Sequence, residues 1–402
     1  MTDILRGGPT GRALTTRSRS AYSAWFHEID RSLVAITLIL IAFGLFAVAA
    51  ASPASALRYS GTNVTFPPMY FFWRQAVWVA ISVPVMIAVS MAPPRLVSRI
   101  ALPALPVCIL LVGLAAVVGG EGTNGAARWI PLGFFSFQPS ELLKPVFIVS
   151  TAWMLSLRAD APYLPMFSVT GAITALTAAL LMLQPDFGQT FLLCSIWLVM
   201  VILAGIPFRA IAALIAAGFG GIVAAYFFYG TAQRRIDAFL FPSSDDTEST
   251  RFQIERAMET LTGGGLLGTG PTQGQAKFRL PEAHTDYIFA VVGEEFGLVA
   301  CAVIAALFVA LIIRSAVRLF DETDAFRLLA GAGITVQIGL QALISMMVNT
   351  GLAPAKGMTL PFISYGGSSM GAMAITTGLL LAFTRRNPYL AQSPYGSRWN
   401  GR

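Results

Sequence analysis

Charge is scarce in this sequence. Only 12% of its 402 residues are Asp, Glu, Lys or Arg, while 55% are apolar and the mean hydropathy is +0.69. A soluble domain carries about a quarter of its residues as charges, so this composition excludes one and points to a polytopic membrane protein. Cysteine is scarce too. Cys108, Cys194 and Cys301 all fall in apolar runs and no pair has metal-ligand spacing, so they read as small packing residues. There is no P-loop, zinc motif or Ser-His-Asp order, which argues against a nucleotide-driven pump. Residues 1–32 lack an apolar core of signal-peptide length, so no cleavable signal peptide is expected. No internal repeat is visible.

What the sequence does contain is a series of long apolar runs. Ten are long enough to cross a hydrocarbon core of about 30 Å as helices, near 33–52, 70–91, 100–118, 139–157, 167–183, 187–206, 208–229, 287–313, 325–352 and 360–384. The expected fold is therefore an all-α integral membrane protein of about ten transmembrane helices. The net charge of +7 would suit nucleic acid, but most of the Lys and Arg residues lie in one alternating set of segments: the N-terminal tail, the short even-numbered connections and the C-terminal tail. That bias is the positive-inside rule, and it predicts that both termini are cytoplasmic. The organisation read from this is an Arg-rich cytoplasmic tail (1–32), a transmembrane domain (33–384) with a large outer loop (230–286) between helices seven and eight, and a cytoplasmic tail (385–402).

Chemistry is expected on the outer side. The 230–286 loop contains Ile254, Ala257, Met258 and Leu261 at helical spacing beside Glu255, Arg256 and Glu259, an amphipathic helix suited to the bilayer surface. Six glycines follow between Gly263 and Gly274, which allow either close backbone approach or a loose connector. LPEAHTDYIFAVVGEEF (280–296) then places Glu282, His284, Asp286, Tyr287, Glu294 and Glu295 at the mouth of an apolar helix, where carboxylates are costly and mark function or tight pairing. Adjacent helical positions point about 100° apart, so at most one of Glu294 and Glu295 faces the same cavity as Asp286. PSELLK (139–144) sets Glu141 and Lys144 three apart, which fits a structural ion pair or a substrate site equally well. In QPDFGQ (184–189), Asp186 reads as a helix N-cap or a site residue. Arg74, Arg128 and Lys356 add cations on the same side. Such cations suit a phosphate or pyrophosphate, and a carboxylate at Asp286, next to His284, suits removal of a proton from a substrate hydroxyl.

Four segments carry a specific resemblance: NGAARWIPLGFFSFQPSELLK (124–144), QPDFGQT (184–190), RLPEAHTDYIFAVVGEEFG (279–297) and KGMTLPFISYGGSSM (356–370). In order and spacing they resemble the hallmark motifs of the SEDS family (shape, elongation, division and sporulation), the FtsW/RodA/SpoVE proteins of bacterial inner membranes. PEAHTD with Ala283, VVGEE after it, and KGMTLPFISYGG with Lys356 most resemble the division branch of that family. One departure is Ala127, at a position the family often fills with Arg, which leaves Arg128 to carry that charge.

The resemblance implies a peptidoglycan glycosyltransferase that polymerises lipid II at the periplasmic face during septal wall synthesis. It matches the family's loop aspartate to Asp286 as catalytic base and other polar motif positions to Arg128, Glu141, Lys144, Asp186 and Lys356; His284 is set beside them in the substrate-binding group. The cations are assigned to the diphosphate, and Glu141 and Asp186 to positioning or structure. No cofactor is required by the sequence, although a divalent cation (Mg or Mn) would help neutralise the leaving group. Implied partners are a class B penicillin-binding protein of the FtsI-like transpeptidase type, other divisome proteins and the membrane, with no nucleic acid. Helices eight and nine, with Gly331 and Gly333, offer a docking face for the transpeptidase. Two other readings compete: a lipid II flippase, and a division scaffold that docks the transpeptidase.

Overall fold

A computed structural model describes residues 21–61, 65–118, 128–131, 136–228, 230, 233, 236–237, 250–354 and 357–385. They belong to two compact units, one of Met1–Ile29 with Arg385–Arg402 and one of Asp30–Thr384. In the first, the described element is a short helix, α1 (Ala21–Glu28).

The second unit is a helical membrane bundle. Its elements are α2 (Arg31–Tyr59), α3 (Tyr70–Ser90), α4 (Pro94–Val118), a minimal hairpin of β1 (Ile130–Pro131) and β2 (Ser136–Phe137), α5 (Pro139–Asp160), α6 (Met166–Leu183), α7 (Phe187–Leu203), α8 (Phe208–Phe228), α9 (Thr250–Gly263), a 3-10 turn (Ala276–Arg279), α10 (Ile288–Phe320), α11 (Ala325–Asn349) and α12 (Gly367–Phe383). Eight of these helices are long and apolar enough to span a membrane, and α7 and α12 are shorter apolar helices beside them. The ten expected spans are thus present with four shifted bounds: α4 starts at Pro94 rather than 100, α10 runs to Phe320 rather than 313, α12 starts at Gly367 rather than 360, and the first helix runs through Pro53 to Tyr59 instead of ending at residue 52. The extra turns are held by side-chain bonds to the rest of the fold, Ser52 Oγ to the Pro68 carbonyl (2.7 Å) and Ser55 Oγ to His284 Nδ1 (2.9 Å).

Helix starts follow from capping chemistry. Asp30 accepts from the amides of Ser32 and Leu33, Asp324 from those of Phe326 and Arg327, and Asp186 from that of Gln189, each satisfying a donor that has no partner inside its helix. Asp30 also pairs with Arg314 (2.9 Å) and Arg318, which ties the start of α2 to the far end of α10. α5, α11 and α12 pack on one another at the centre and are mostly buried, whereas α8 buries no residue. Gly331 and Gly333 lie inside this packing rather than on an outer face. A side chain at Gly331 would meet Leu319, and one at Gly333 would meet Ile148 and Met200, so the docking face expected at these two glycines is not on the surface.

α10 is broken, and the glycine-rich segment repairs it. Gly297 has φ 82° and ψ 172°, which interrupts the helical hydrogen-bond ladder inside an apolar span. Unpaired backbone groups there would cost several kcal/mol each, so neighbouring protein must satisfy them. Residues 264–270 do so: the Leu298 and Val299 amides donate to the Gly265 and Leu266 carbonyls (3.1 and 3.2 Å), and the Thr269 and Gly270 amides donate to the Glu294 and Glu295 carbonyls (2.8 and 3.1 Å). Added Cβ atoms on Gly264 or Gly268 would collide with this backbone, which decides for close approach over a loose connector. α9 joins the same arrangement. Its apolar face packs against protein, with Ala257 and Leu261 buried and Leu261 seated on Gly293, so the expected placement on the bilayer surface is corrected.

Candidate active site

The β1–β2 hairpin connects α4 to α5 and delivers Arg128, while the turn before α10 delivers Asp286. The two meet over Gly357. Gly357 has φ 61°, in the left-handed region that glycine adopts freely, and a Cβ built on it would lie 3.4 Å from Arg128 Nη1 and 3.5 Å from Asp286 Oδ2. Because no Cβ is there, the guanidinium and the carboxylate border one gap with the Gly357 backbone as its floor. Asp286 and Arg128 are both partly exposed, the Arg128 side chain by 11%.

Arg128 is held by its other nitrogens. Nε donates to the Gln184 carbonyl (3.2 Å) and Nη2 to the Pro185 carbonyl (2.5 Å), which clamps the α6–α7 turn. Its Nε also lies 3.7 Å from Asp186 Oδ2, an ion-pair distance without a hydrogen bond. Asp186 is 1% exposed, and burial pushes its carboxyl above the usual carboxylate range, with the Arg128 charge the main opposing influence.

A buried polar chain continues from there. Gln189, one turn into α7, donates through Nε2 to Glu141 Oε1 (2.9 Å); Lys144 Nζ donates to the same oxygen (2.8 Å) and to Gln341 Oε1 (3.0 Å). Gln341 Nε2 in turn donates to the Thr359 carbonyl (3.0 Å), two residues from Gly357. The structure therefore brings Arg128, Asp186, Glu141, Lys144 and Asp286 into one ring of contacts closed by the segment between α11 and α12. Lys356, assigned with them from sequence, lies outside the described residues.

His284 stands apart from the gap. It is 3% exposed, its Nδ1 is bonded to Ser55, and the rings of Phe71, Tyr365 and Tyr59 surround it with centroids at 4.4, 5.1 and 5.7 Å. Burial lowers its pKa to about 4, so it is a neutral structural pin between α2, α3 and the Asp286 turn rather than a group facing a substrate. Glu294 and Glu295 are also accounted for by structure. Glu294 accepts from the Ala276 and Lys277 amides (2.6 and 3.0 Å), capping the 3-10 turn, and Glu295 pairs with Lys277, whose ammonium also donates to the Ala50 carbonyl (3.0 Å).

Lys277, Gln189, Gln341, Asn349 and Gly357 were not singled out from sequence. For Lys277 a signal existed: the chain has lysine at 144, 277 and 356 alone, and a rare lysine beside a loop anchored by two glutamates is a pairing candidate. For the two glutamines and Asn349, isolated amides in apolar helices, no signal identifies the partner.

Comparison with known proteins agrees with this architecture. Residues 30–389 match the family model described as a cell cycle protein, that of FtsW, RodA and SpoVE. A protein of Caulobacter vibrioides named a probable peptidoglycan glycosyltransferase FtsW is 36% identical over 390 residues, covering 96% of this chain and 97% of that protein. One of the same name from Legionella pneumophila is 31% identical, covering 95% and 94%. Among solved structures, a chain of a peptidoglycan synthase complex described as coordinating polymerization and crosslinking superposes with a TM-score of 0.71 at 26% identity, covering 89% of this chain and 97% of that one. The rod shape determining protein RodA of Thermus thermophilus does so with a TM-score of 0.65 at 25% identity, covering 89% and 96%.

Proposed function

The chain belongs to the cell cycle protein family of FtsW, RodA and SpoVE, and from that premise we propose that it is a peptidoglycan glycosyltransferase that polymerises lipid II at the periplasmic face of the inner membrane during septal wall synthesis. The observation that carries this reading is the gap over Gly357, with a carboxylate on one side and a guanidinium on the other. The 4-hydroxyl of the acceptor's terminal GlcNAc attacks the anomeric carbon of the lipid-linked donor. Its oxygen forms the new glycosidic bond, the bond from that carbon to the pyrophosphate breaks, and the hydroxyl proton passes to the Asp286 carboxylate. A hydroxyl is a weak nucleophile at neutral pH, and a positioned base contributes about 10² to 10⁴ in rate. Arg128, whose Nη1 lies toward Gly357, would take the charge of the leaving diphosphate, and Lys356 is assigned the same role from its sequence motif.

Among the described residues no cluster of three or more His, Cys, Asp or Glu side chains is arranged to hold a metal ion. A divalent cation of the Mg or Mn kind would help neutralise the leaving diphosphate beside Arg128. The solved complex that resembles this chain supports a class B transpeptidase as partner, and the arginine bias supports cytoplasmic termini. The testing experiment incubates purified protein, alone and with a class B penicillin-binding protein, with lipid II in detergent, and separates the products on a gel. Glycan strands are expected. Detergent leaves no membrane sides for a flippase to connect, so absence of polymer with the partner present would move the assignment to transport.

A further inference from the structure

The backbone of the turn that carries Asp286 is held from one side by a single segment. Three consecutive carbonyls each accept a hydrogen bond from residues 349–365: His284 from the Tyr365 amide (2.9 Å), Thr285 from Ser364 Oγ (2.7 Å) and Asp286 from Asn349 Nδ2 (2.9 Å). The donors are themselves fixed. Asn349 is fully buried; its Nδ2 also donates to the Ser345 carbonyl (2.8 Å) and its Oδ1 accepts from the Ala290 amide (3.0 Å). Tyr287, the residue at the cap position of α10, offers no side-chain cap, so Asn349 on α11 caps α10 from outside the helix while gripping the residue just before it. Ser364 Oγ accepts from the Leu360 amide (2.8 Å), and Gln75 on α3, fully buried, brackets the next residues, donating to the Ser364 carbonyl (3.4 Å) and accepting from the Gly366 amide (3.3 Å).

Gly357, the floor of the gap, lies within this same segment. Ser364, which binds the carboxylate-bearing turn, and Gly357 thus belong to one described stretch of chain, 357–366. An aspartate has only two side-chain torsions, so fixing its backbone fixes most of where its carboxylate can reach, and a displacement of about 1 Å at a reacting group can cost about 10²-fold in rate. We propose that Asn349 and Ser364 are positioning residues for glycosyl transfer: they hold the Asp286 turn in register with the gap over Gly357 without touching the substrate. The proposal rests on the reading of Asp286 as proton acceptor.

Folding and positioning can be separated at Asn349. Asn349→Asp keeps an acceptor for the Ala290 amide, at a helix N-terminus where a carboxylate is favoured, but loses the donor to the Asp286 carbonyl. Asn349→Ala loses both. At the other donor, Ser364→Thr keeps the hydroxyl and Ser364→Ala removes it. Each full-length variant is purified with its class B partner. Lipid II polymerisation is resolved into kcat and KM, melting temperature is measured, and hydrogen exchange is followed over residues 284–290. For Asn349→Asp the expected result is retained Ala290 protection, a lowered melting temperature, a KM within about twofold, and a kcat lower by about 10- to 100-fold, more than the stability loss explains. Ser364→Ala is expected to lose kcat in the same way and Ser364→Thr to retain it. Wild-type kcat in folded Asn349→Asp and Ser364→Ala would overturn the proposal, as would kcat losses that follow melting temperature across all four variants. A wild-type protein that makes no polymer would instead overturn the function reading and, with it, this proposal.

Discussion

Two charged regions sit near each other at the loop end of the bundle, and they differ in what is left to do. Around Lys277 everything is internal: the Lys277 and Glu295 side chains are 0% exposed, and the Glu294 carboxylate is spent on two amides of the 3-10 turn. Around Gly357 the charged groups are partly exposed. Arg128 keeps one nitrogen toward the gap while the others grip backbone, and Asp286 faces the same gap from a half-buried turn. Four carboxylates within fourteen residues of sequence thus have separate surroundings. Glu294 caps, Glu295 pairs, Glu282 accepts from Tyr59 and Thr285, and Asp286 is the proposed base. Dry, buried charge maintains a shape, whereas partly exposed charge can be reached by a ligand.

The comparison breaks most sharply at the two carboxylates. Asp286→Asn is isosteric and keeps its turn, so it is expected to fold, bind lipid II and lose about 10²- to 10⁴-fold in polymerisation. Near-normal strand synthesis in the gel assay would remove Asp286 as the base. Lys277→Met is expected to behave in the opposite way. It strands the Glu295 charge in a dry site and should cost about 3 to 5 kcal/mol in a denaturation measurement, much of which the double variant with Glu295→Leu should restore. No recovery in the double variant would show that the pair contributes more than mutual compensation.

His284 provides a test by pH. Its folded pKa is about 4 against an ordinary value of 6.5, so between these values the unfolded chain binds a proton that the folded chain refuses. Stability from this residue is complete above about pH 6.5 and is lost as pH falls toward 4, by about 3 kcal/mol. Melting temperatures across this range should fall more steeply for wild type than for His284→Gln, and parallel curves would contradict a buried neutral ring. The smallest effect is expected at the floor of the gap. Gly357→Ala puts a side chain on left-handed backbone, a cost of about 1 to 2 kcal/mol, and fills space between Arg128 and Asp286. Polymerisation should fall further than that stability loss explains; equal losses would make Gly357 a turn residue only.

Composition and periodicity were enough to establish the membrane class, and all ten spanning helices lie close to where their apolar runs predict, because a helix in hydrocarbon must satisfy its own backbone and span a set thickness. The first helix was read short, since Pro53 and the polar residues after it resemble a loop locally while Ser52 and Ser55 find distant partners. Asp286, Arg128, Glu141, Lys144 and Asp186 could be named from their types and motifs. What no local pattern contained was their allocation. Glu141 and Lys144 at i,i+3 are an ion pair, as spacing allows, yet Gln189 from α7 and Gln341 from α11 complete it from 48 and 197 residues away in sequence. The sequence alone settled which residues are apolar, where helices run and which side chains carry charge, because these depend on covalent chemistry and short-range periodicity. Only the tertiary structure decided which charges are neutralised in a dry interior and which border a gap: pairing depends on contacts between helices, and a break such as that at Gly297 is stable only because residues 264–270 arrive to satisfy it.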